Sequence, residues 1–283
     1  MSASPLNSSS LLQSTQLLFV GAGNMAQAIV TGLLKDGFPA DHIAAADPFE
    51  TAREAMAEKG VHALAPDATR LAGAADVIVL AIKPQLMREV LSALAPAVRQ
   101  DTLIISIAAG ISVASLAQLL AGRGHIIRCM PNTPALVSQG ASALFASPGV
   151  SETQRAVAEA ILGAVGFVTW VEAEPLLDAV TAVSGSGPAY FFAFMEAMVA
   201  HGVRMGLSED VARDLTLQTA LGAATLARNE ALPLAQLREN VTSPGGTTAR
   251  AIAAFFDGDL EGLVGRAMDD CAARAAEMAE EFG

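Results

Sequence analysis

The stretch "LLFVGAGNMAQAIVTGLL", Leu17–Leu34, decides the fold. Its first four residues, Leu17 to Val20, are apolar and read as a buried strand. Gly21-x-Gly23-x-x-Ala26 follows, and Ala26, Ile29, Val30 and Leu33 then recur on one helical face. Gly21 permits a tight turn, and Gly23 lets the backbone approach a pyrophosphate. The small Ala26 lets helix pack closely on strand, so the helix N-terminus faces the phosphates. The glycine spacing alone is a weak signal; between a strand and an amphipathic helix it describes a dinucleotide cradle.

Working outward, β-rich runs alternate with helical segments from residue 17 to about 171. They are Leu17–Val20, His42–Ala46, Asp76–Ile82, Leu103–Ile107, His125–Met130 and Phe167–Val171. Continuously apolar strands separated by helices predict a parallel sheet covered on both faces. After Glu172 the strand signal stops. Phe191, Phe194, Met195 and Met198 form one helical stripe, and Ser208 reads as the N-cap of the next helix. The expected plan is α/β: a lead-in over 1–15, a doubly wound Rossmann domain over 16–171, and an all-helical domain over 172–283.

Composition narrows the class. Apolar residues make up 52 % and charged residues 16 % of 283, which describes a globular chain. Aromatics are only 5 %, so Ala, Leu and Val fill the core, a mix suited to closely packed helices and to burial against another subunit. Net charge is −12 with no Lys/Arg run, which argues against nucleic acid. Cys129 and Cys271 match no metal or redox spacing and read as reduced thiols of a cytoplasmic protein, with no metal site. The opening "MSASPLNSSSLLQSTQ" has no basic residue before an apolar run and makes a poor signal peptide. No apolar stretch reaches the ~18 residues a membrane span requires.

The second strand ends in "AAADPFE". An acid at the position of Asp47 bonds the ribose hydroxyls and favours NAD over NADP, and Arg53 stands a helical turn or more further on. Asp47 as a cap for the next helix is the competing reading. Lys83 and Pro84 in "AIKPQ" fall at a carboxyl end of the sheet, where ligands bind in this fold; Lys83 as a solvated charge remains open.

The inventory of proton-transfer groups is restrictive. Lysine occurs only at 35, 59 and 83, so the helical half has none, and Tyr190 is followed four residues later by Phe194. His42, His62 and His125 stand at strand beginnings, the wrong end for catalysis, and His201 extends an apolar helix stripe. Alcohol oxidation, which wants such a group, is poorly supported. Reduction of a C=N bond asks for less, since a protonated iminium accepts hydride without a strong acid beside it. "VTSPGGTTAR", Val241–Arg250, is a glycine bend feeding a helix that carries Ile252, Phe255 and Phe256. Free amides and Thr hydroxyls at such a start suit a small carboxylate; an ordinary N-cap with a turn before it is the plainer alternative.

"GAGNMA", "AIKP", "SIAAGIS", "IIRCMPNTPALVSQGAS", "AVSGSGPAYFF" and "LRENVTSPGGTTARAI" together resemble pyrroline-5-carboxylate reductase, in that family's order and over residues 17 to 280. The resemblance implies a Rossmann domain followed by a helical domain that dimerises, with rings of dimers as a larger assembly. It implies dinucleotide contacts from Gly21, Ala22, Gly23, Asn24, Met25 and Ala26, from Ala81, Ile82, Lys83 and Pro84, and from Ala108, Ala109 and Gly110. The Met130–Pro134 loop, with Pro131 and Asn132, would lie beside the nicotinamide, and Asn240 would reach it. Glu174, Thr247 and Thr248 would line the site for 1-pyrroline-5-carboxylate, and Ser243 and Gly246 would help cradle its carboxylate. Thr248 is the expected catalytic hydroxyl. The cofactor would be NADPH or NADH. Many members carry Ser, Asn or Arg where this chain has Asp47, so Asp47 leans the expectation to NADH. The β-hydroxyacid dehydrogenases share the two-domain plan, but would want a lysine in "SGSGPAYFFAFMEAM".

Overall fold

The alternation read from Leu17 onward folds into one sheet of eight strands. The computed structural model describes Leu12 and residues 14–282; the lead-in expected over 1–15 lies largely outside the described residues. The strands are β1 Leu17–Val20, β2 Ile43–Ala46, β3 Ala63–Ala65, β4 Val77–Leu80, β5 Leu103–Ser106, β6 His125–Met130, β7 Gly140–Ala146 and β8 Gly166–Trp170. Their order is β3-β2-β1-β4-β5-β6-β7-β8. The order reverses at β1, between β2 and β4, the switch point at which this architecture binds ligands.

Burial of β1 on both faces follows from its sequence. Leu17 and Phe19 enter one core, together with Ile29 and Leu33 of helix α1 (Asn24–Lys35), Met56 of α2 (Glu50–Ala57) and Ile161 of α5 (Glu152–Gly163). Leu18 and Val20 enter the other, with Leu91 of α3 (Met87–Leu94) and Leu116 of α4 (Val113–Leu119). A strand enclosed on both sides must be apolar throughout, which is why β1 and β4 show no alternation.

One expectation needs correction. The sheet is not wholly parallel: β7 runs antiparallel to β6, with Met130 paired to Ala143 and Ile127 to Ala146. The short connection from Met130 to Gly140 leaves no room for a helical crossover, so the chain returns beside itself. β8 then pairs parallel to β7.

The chain divides into two compact units. The first runs through Ser186 and includes the segment from Cys271 onward; the second is Gly187–Asp270. The first therefore also holds α6 (Leu176–Val180) and a π-helical turn, Thr181–Gly185. The second contains α7 (Gly187–Arg204), α8 (Glu209–Asn229), α9 (Leu234–Asn240), α10 (Thr247–Asp257) and the beginning of α11 (Leu260–Phe282). Ser208 caps α8 as expected, accepting from the Val211 amide. Phe194 meets Phe255 with ring centroids 5.9 Å apart. Phe191, Phe192, Leu215, Leu221 and Leu263 stay exposed in the single chain, an apolar surface of the kind that association covers.

Candidate functional site

The cradle after β1 is held from behind. Gly21 has φ +96°, and a Cβ there would lie 2.5 Å from the Ala81 carbonyl oxygen. Its amide donates to Ala46 C=O at 2.8 Å, while Ala81 N–H donates to Val20 C=O at 2.8 Å. The turn is thus wedged between the ends of β2 and β4, and only glycine fits there. Gly23 is the N-cap of α1, extended at φ −72° and ψ −176°, and no side chain caps the helix. A Cβ on Gly23 would meet nothing within 4 Å. The start of a twelve-residue helix therefore faces open space with its first-turn amides uncapped, which fits a pyrophosphate. Beside it lies a cavity of about 270 Å³ lined by Gly21, Pro48, Ala68, Thr69, Ile82 and Val90, a mostly apolar slot suited to a flat ring.

Asp47 neither caps a helix nor hangs free. Its Oδ2 accepts from Ala22 N–H at 2.9 Å and its Oδ1 from Phe49 N–H at 2.9 Å. The carboxylate braces the glycine turn while keeping lone pairs for another donor. Arg53 is nearer than its sequence position suggests: its Nη1 donates to Asp47 C=O at 2.6 Å and to Pro48 C=O at 3.0 Å. Lys83 is exposed and precedes a short 3₁₀ turn at Pro84–Leu86.

Ala108, Ala109 and Gly110 follow β5. Gly110 has φ +71°, and a Cβ there would lie 3.0 Å from Met278 Cβ, so this loop is seated on the last helix. Ser106, at the end of β5, is buried and its hydroxyl has no partner among the described residues. It opens the "SIAAGIS" stretch, where no separate role is expected of it. In the Met130–Pro134 loop, Asn132 is used twice by backbone: its Nδ2 donates to Ser184 C=O at 3.0 Å and its Oδ1 accepts from Ala141 N–H at 2.8 Å. It clips the loop to the π-helical turn, a feature that often marks functional segments. Pro131 is buried beside it.

Glu174 is braced as well. Its Oε1 accepts from Arg128 Nη1 at 2.6 Å and from the Val113 amide at 2.7 Å, which leaves Oε2 for another donor. Asp178 lies near this pair; burial raises its carboxyl above the ordinary range, against the pull of Arg128 and with a push from Glu174. The Cys129 thiol, fully buried on β6, is pushed up to about 12 by burial and stays a thiol. Both cysteines are free, and no metal-holding group of His, Cys, Asp and Glu occurs among the described residues.

The second unit carries the other predicted segment. Gly246 is the N-cap of α10, and no side chain caps that helix. The Thr242 hydroxyl donates to Arg238 C=O, and the Gly246 amide donates to Ser243 C=O at 3.0 Å. Gly246 as N-cap with a turn before it agrees with the plainer reading of this bend, except that no hydroxyl caps the helix. Ser243 and Thr247 are exposed and Thr248 half-buried at the mouth of an eleven-residue helix. Asn240, at the end of α9, is exposed and its Oδ1 accepts from Gln236 Nε2 at 3.1 Å. Such a helix start receives small anions.

Comparison with known proteins assigns the chain to a family. Residues 174–278 match the model described as pyrroline-5-carboxylate reductase dimerisation, and residues 16–110 that described as NADP oxidoreductase coenzyme F420-dependent. The chain is 48 % identical to the pyrroline-5-carboxylate reductase of Pseudomonas aeruginosa over 96 % of its length and 100 % of that protein's. It superposes on the Coxiella burnetii pyrroline-5-carboxylate reductase with a TM-score of 0.90 at 38 % identity, covering 94 % of this chain and 99 % of the other. A Plasmodium falciparum pyrroline carboxylate reductase solved with NADP bound matches with a TM-score of 0.84 at 27 % identity, over 95 % and 99 %. By identity across nearly all of its length, this chain belongs to the pyrroline-5-carboxylate reductase family.

Proposed function

We propose that this chain reduces the C=N bond of 1-pyrroline-5-carboxylate to give L-proline, the last step of proline biosynthesis, using NADPH or NADH. The observation that carries the reading is near-full-length identity of 48 % to a curated reductase. The uncapped helix start at Gly246–Thr248 supports it with the chemistry a ring carboxylate needs.

When bound, the reduced nicotinamide supplies hydride to the imine carbon. The chain holds and orients. Gly21 to Ala26 receive the pyrophosphate, with Asp47 stiffening the turn from behind. Ala81 to Pro84, Ala108 to Gly110, Pro131 and Asn132 shape the rest of the dinucleotide site, and Asn240 serves its nicotinamide end. Asn132 does so through the loop it clips, since its amide is engaged by backbone. Ser243, Gly246, Thr247 and the first amides of α10 take the ring carboxylate, so that positioning lowers the barrier. The Thr248 hydroxyl hydrogen-bonds the ring nitrogen, which arrives protonated as the iminium and keeps the C=N π pair as its lone pair when the new C–H bond forms at carbon. Glu174 steadies the segment Ser106–Ser112 through the start of α4 and offers its free oxygen to the site.

Self-association runs through the helical domain, consistent with its match to a dimerisation domain. A ring of dimers and a cytoplasmic location belong to the same reading. No helix of the described residues is long and apolar enough to cross a membrane. Following dinucleotide absorbance with purified protein and the cyclic imine tests the function: oxidation that depends on the imine is expected with either cofactor. No turnover with either would overturn it. A complex with dinucleotide and proline would test the residue assignments together.

A further inference from the structure

Two charged residues after β2 have a placement that hydride transfer does not explain. Asp47 is fixed at both oxygens, Oδ2 by the Ala22 amide and Oδ1 by the Phe49 amide. It cannot swing aside without releasing the glycine turn. Arg53, half-buried on α2, bends back so that Nη1 rests on the carbonyls of Asp47 and Pro48 at 2.6 and 3.0 Å. Its remaining N–H donors, on Nε and Nη2, take no bond from the chain among the described residues. No carboxylate forms an ion pair with it there either. The guanidinium is thus anchored against the backbone of the residue at which this fold meets the adenosine ribose, and its charge is not cancelled.

We propose that Arg53 is a specificity-determining residue that admits a 2′-phosphate on that ribose, so that the chain takes NADPH as well as NADH despite Asp47. The identity of the cofactor rests on the reductase reading above. A 2′-phosphate arriving at the end of β2 meets a carboxylate that backbone amides hold in place. Arg53 supplies both the opposing charge and a planar set of donors matched to phosphate oxygens. A ribose 2′-hydroxyl needs neither, because it can donate to the free lone pairs of Asp47. The two side chains therefore serve different forms of the cofactor, Asp47 the unphosphorylated ribose and Arg53 the phosphorylated one.

Equilibrium titration of the whole protein with 2′,5′-ADP and with 5′-ADP tests this, and requires no imine and no turnover. Arg53→Gln is expected to weaken 2′,5′-ADP about tenfold or more while leaving 5′-ADP within about twofold. Arg53→Lys should recover part of the loss, since it keeps the charge without the fork. Equal weakening of both ligands would mean that Arg53 only shapes the loop. Unchanged binding of both would mean that another group receives the phosphate. Either result overturns the proposal. Wild-type protein that fails to turn over the imine strikes the reductase reading instead and leaves these titrations interpretable.

Discussion

Arg128 Nη1 donates to Glu174 Oε1 at 2.6 Å, and the same oxygen accepts the Val113 amide at 2.7 Å. Three segments distant in sequence meet on one carboxylate oxygen: strand β6, the start of α4, and the approach to α6. The side chains are only 10 % and 25 % exposed, so water screens the pair weakly. Removing one partner leaves the other charge largely buried. Arg128→Ala is therefore expected to cost about 2–4 kcal/mol and to lower Tm by roughly 5–10 °C. A thermal midpoint within about a degree of wild type would show that the pair contributes nothing.

Asp178 adds a pH dependence. Its folded pKa is raised by burial, so the protonated form is favoured in the fold. That contribution is fully present below the unfolded pKa and is lost as pH rises through the folded value. Asp178→Asn, neutral at every pH, should be more stable than wild type near pH 7. The advantage should vanish at about pH 3, below the ordinary Asp range. Urea midpoints at the two pH values check this; a gain that persists in acid would assign the effect to something other than charge.

The two cradle glycines should separate stability from binding. Gly21→Ala places a methyl against the Ala81 carbonyl at positive φ, and is expected to destabilise by about 1–3 kcal/mol. Gly23→Ala meets open space at an ordinary φ, so stability should stay within about 0.5 kcal/mol. Dinucleotide affinity should nevertheless fall about tenfold or more, because the new methyl stands where the pyrophosphate must approach. Calorimetry with cofactor on both variants distinguishes the cases. Undiminished affinity in Gly23→Ala would remove that turn from the binding site.

Thr248→Ala should reduce kcat/KM on the cyclic imine by about 10²-fold through loss of the hydrogen bond to the ring nitrogen. Dinucleotide Kd is expected to remain unchanged. Wild-type kcat/KM in this variant would reassign the role of Thr248.

For the wild-type chain, NADH is expected to serve at least as well as NADPH, because Asp47 remains in place to bind the ribose. Steady-state kcat/KM with each cofactor checks this. A strong NADPH advantage would mean that Arg53 dominates Asp47.

The strands around Leu17–Val20 were legible because continuous apolar runs leave few alternatives. β3 and β7 were not, since "ALA" and "GASALFA" are mostly small residues without a β signature. Their pairing is set by the neighbouring edge and not by their own preference. The glycine turn and the bend at Ser243–Thr248 could be read because their backbone demands are written in residue type. The backbone partners of Asp47, Asn132 and Glu174 could not. Whether a polar side chain faces a ligand or a backbone amide depends on which distant segment folds beside it. Arg53 illustrates the same point: its separation from Asp47 in sequence implies distance, yet a long side chain closes the gap.

The seat of Gly110 against Met278 has a consequence for how the molecule is made. The loop proposed to shape part of the dinucleotide site is supported by residues translated after the whole helical unit. Its support is therefore absent while that unit is still emerging from the ribosome, so cofactor capture should mature late and shortened transcripts should yield chains that hold nucleotide poorly.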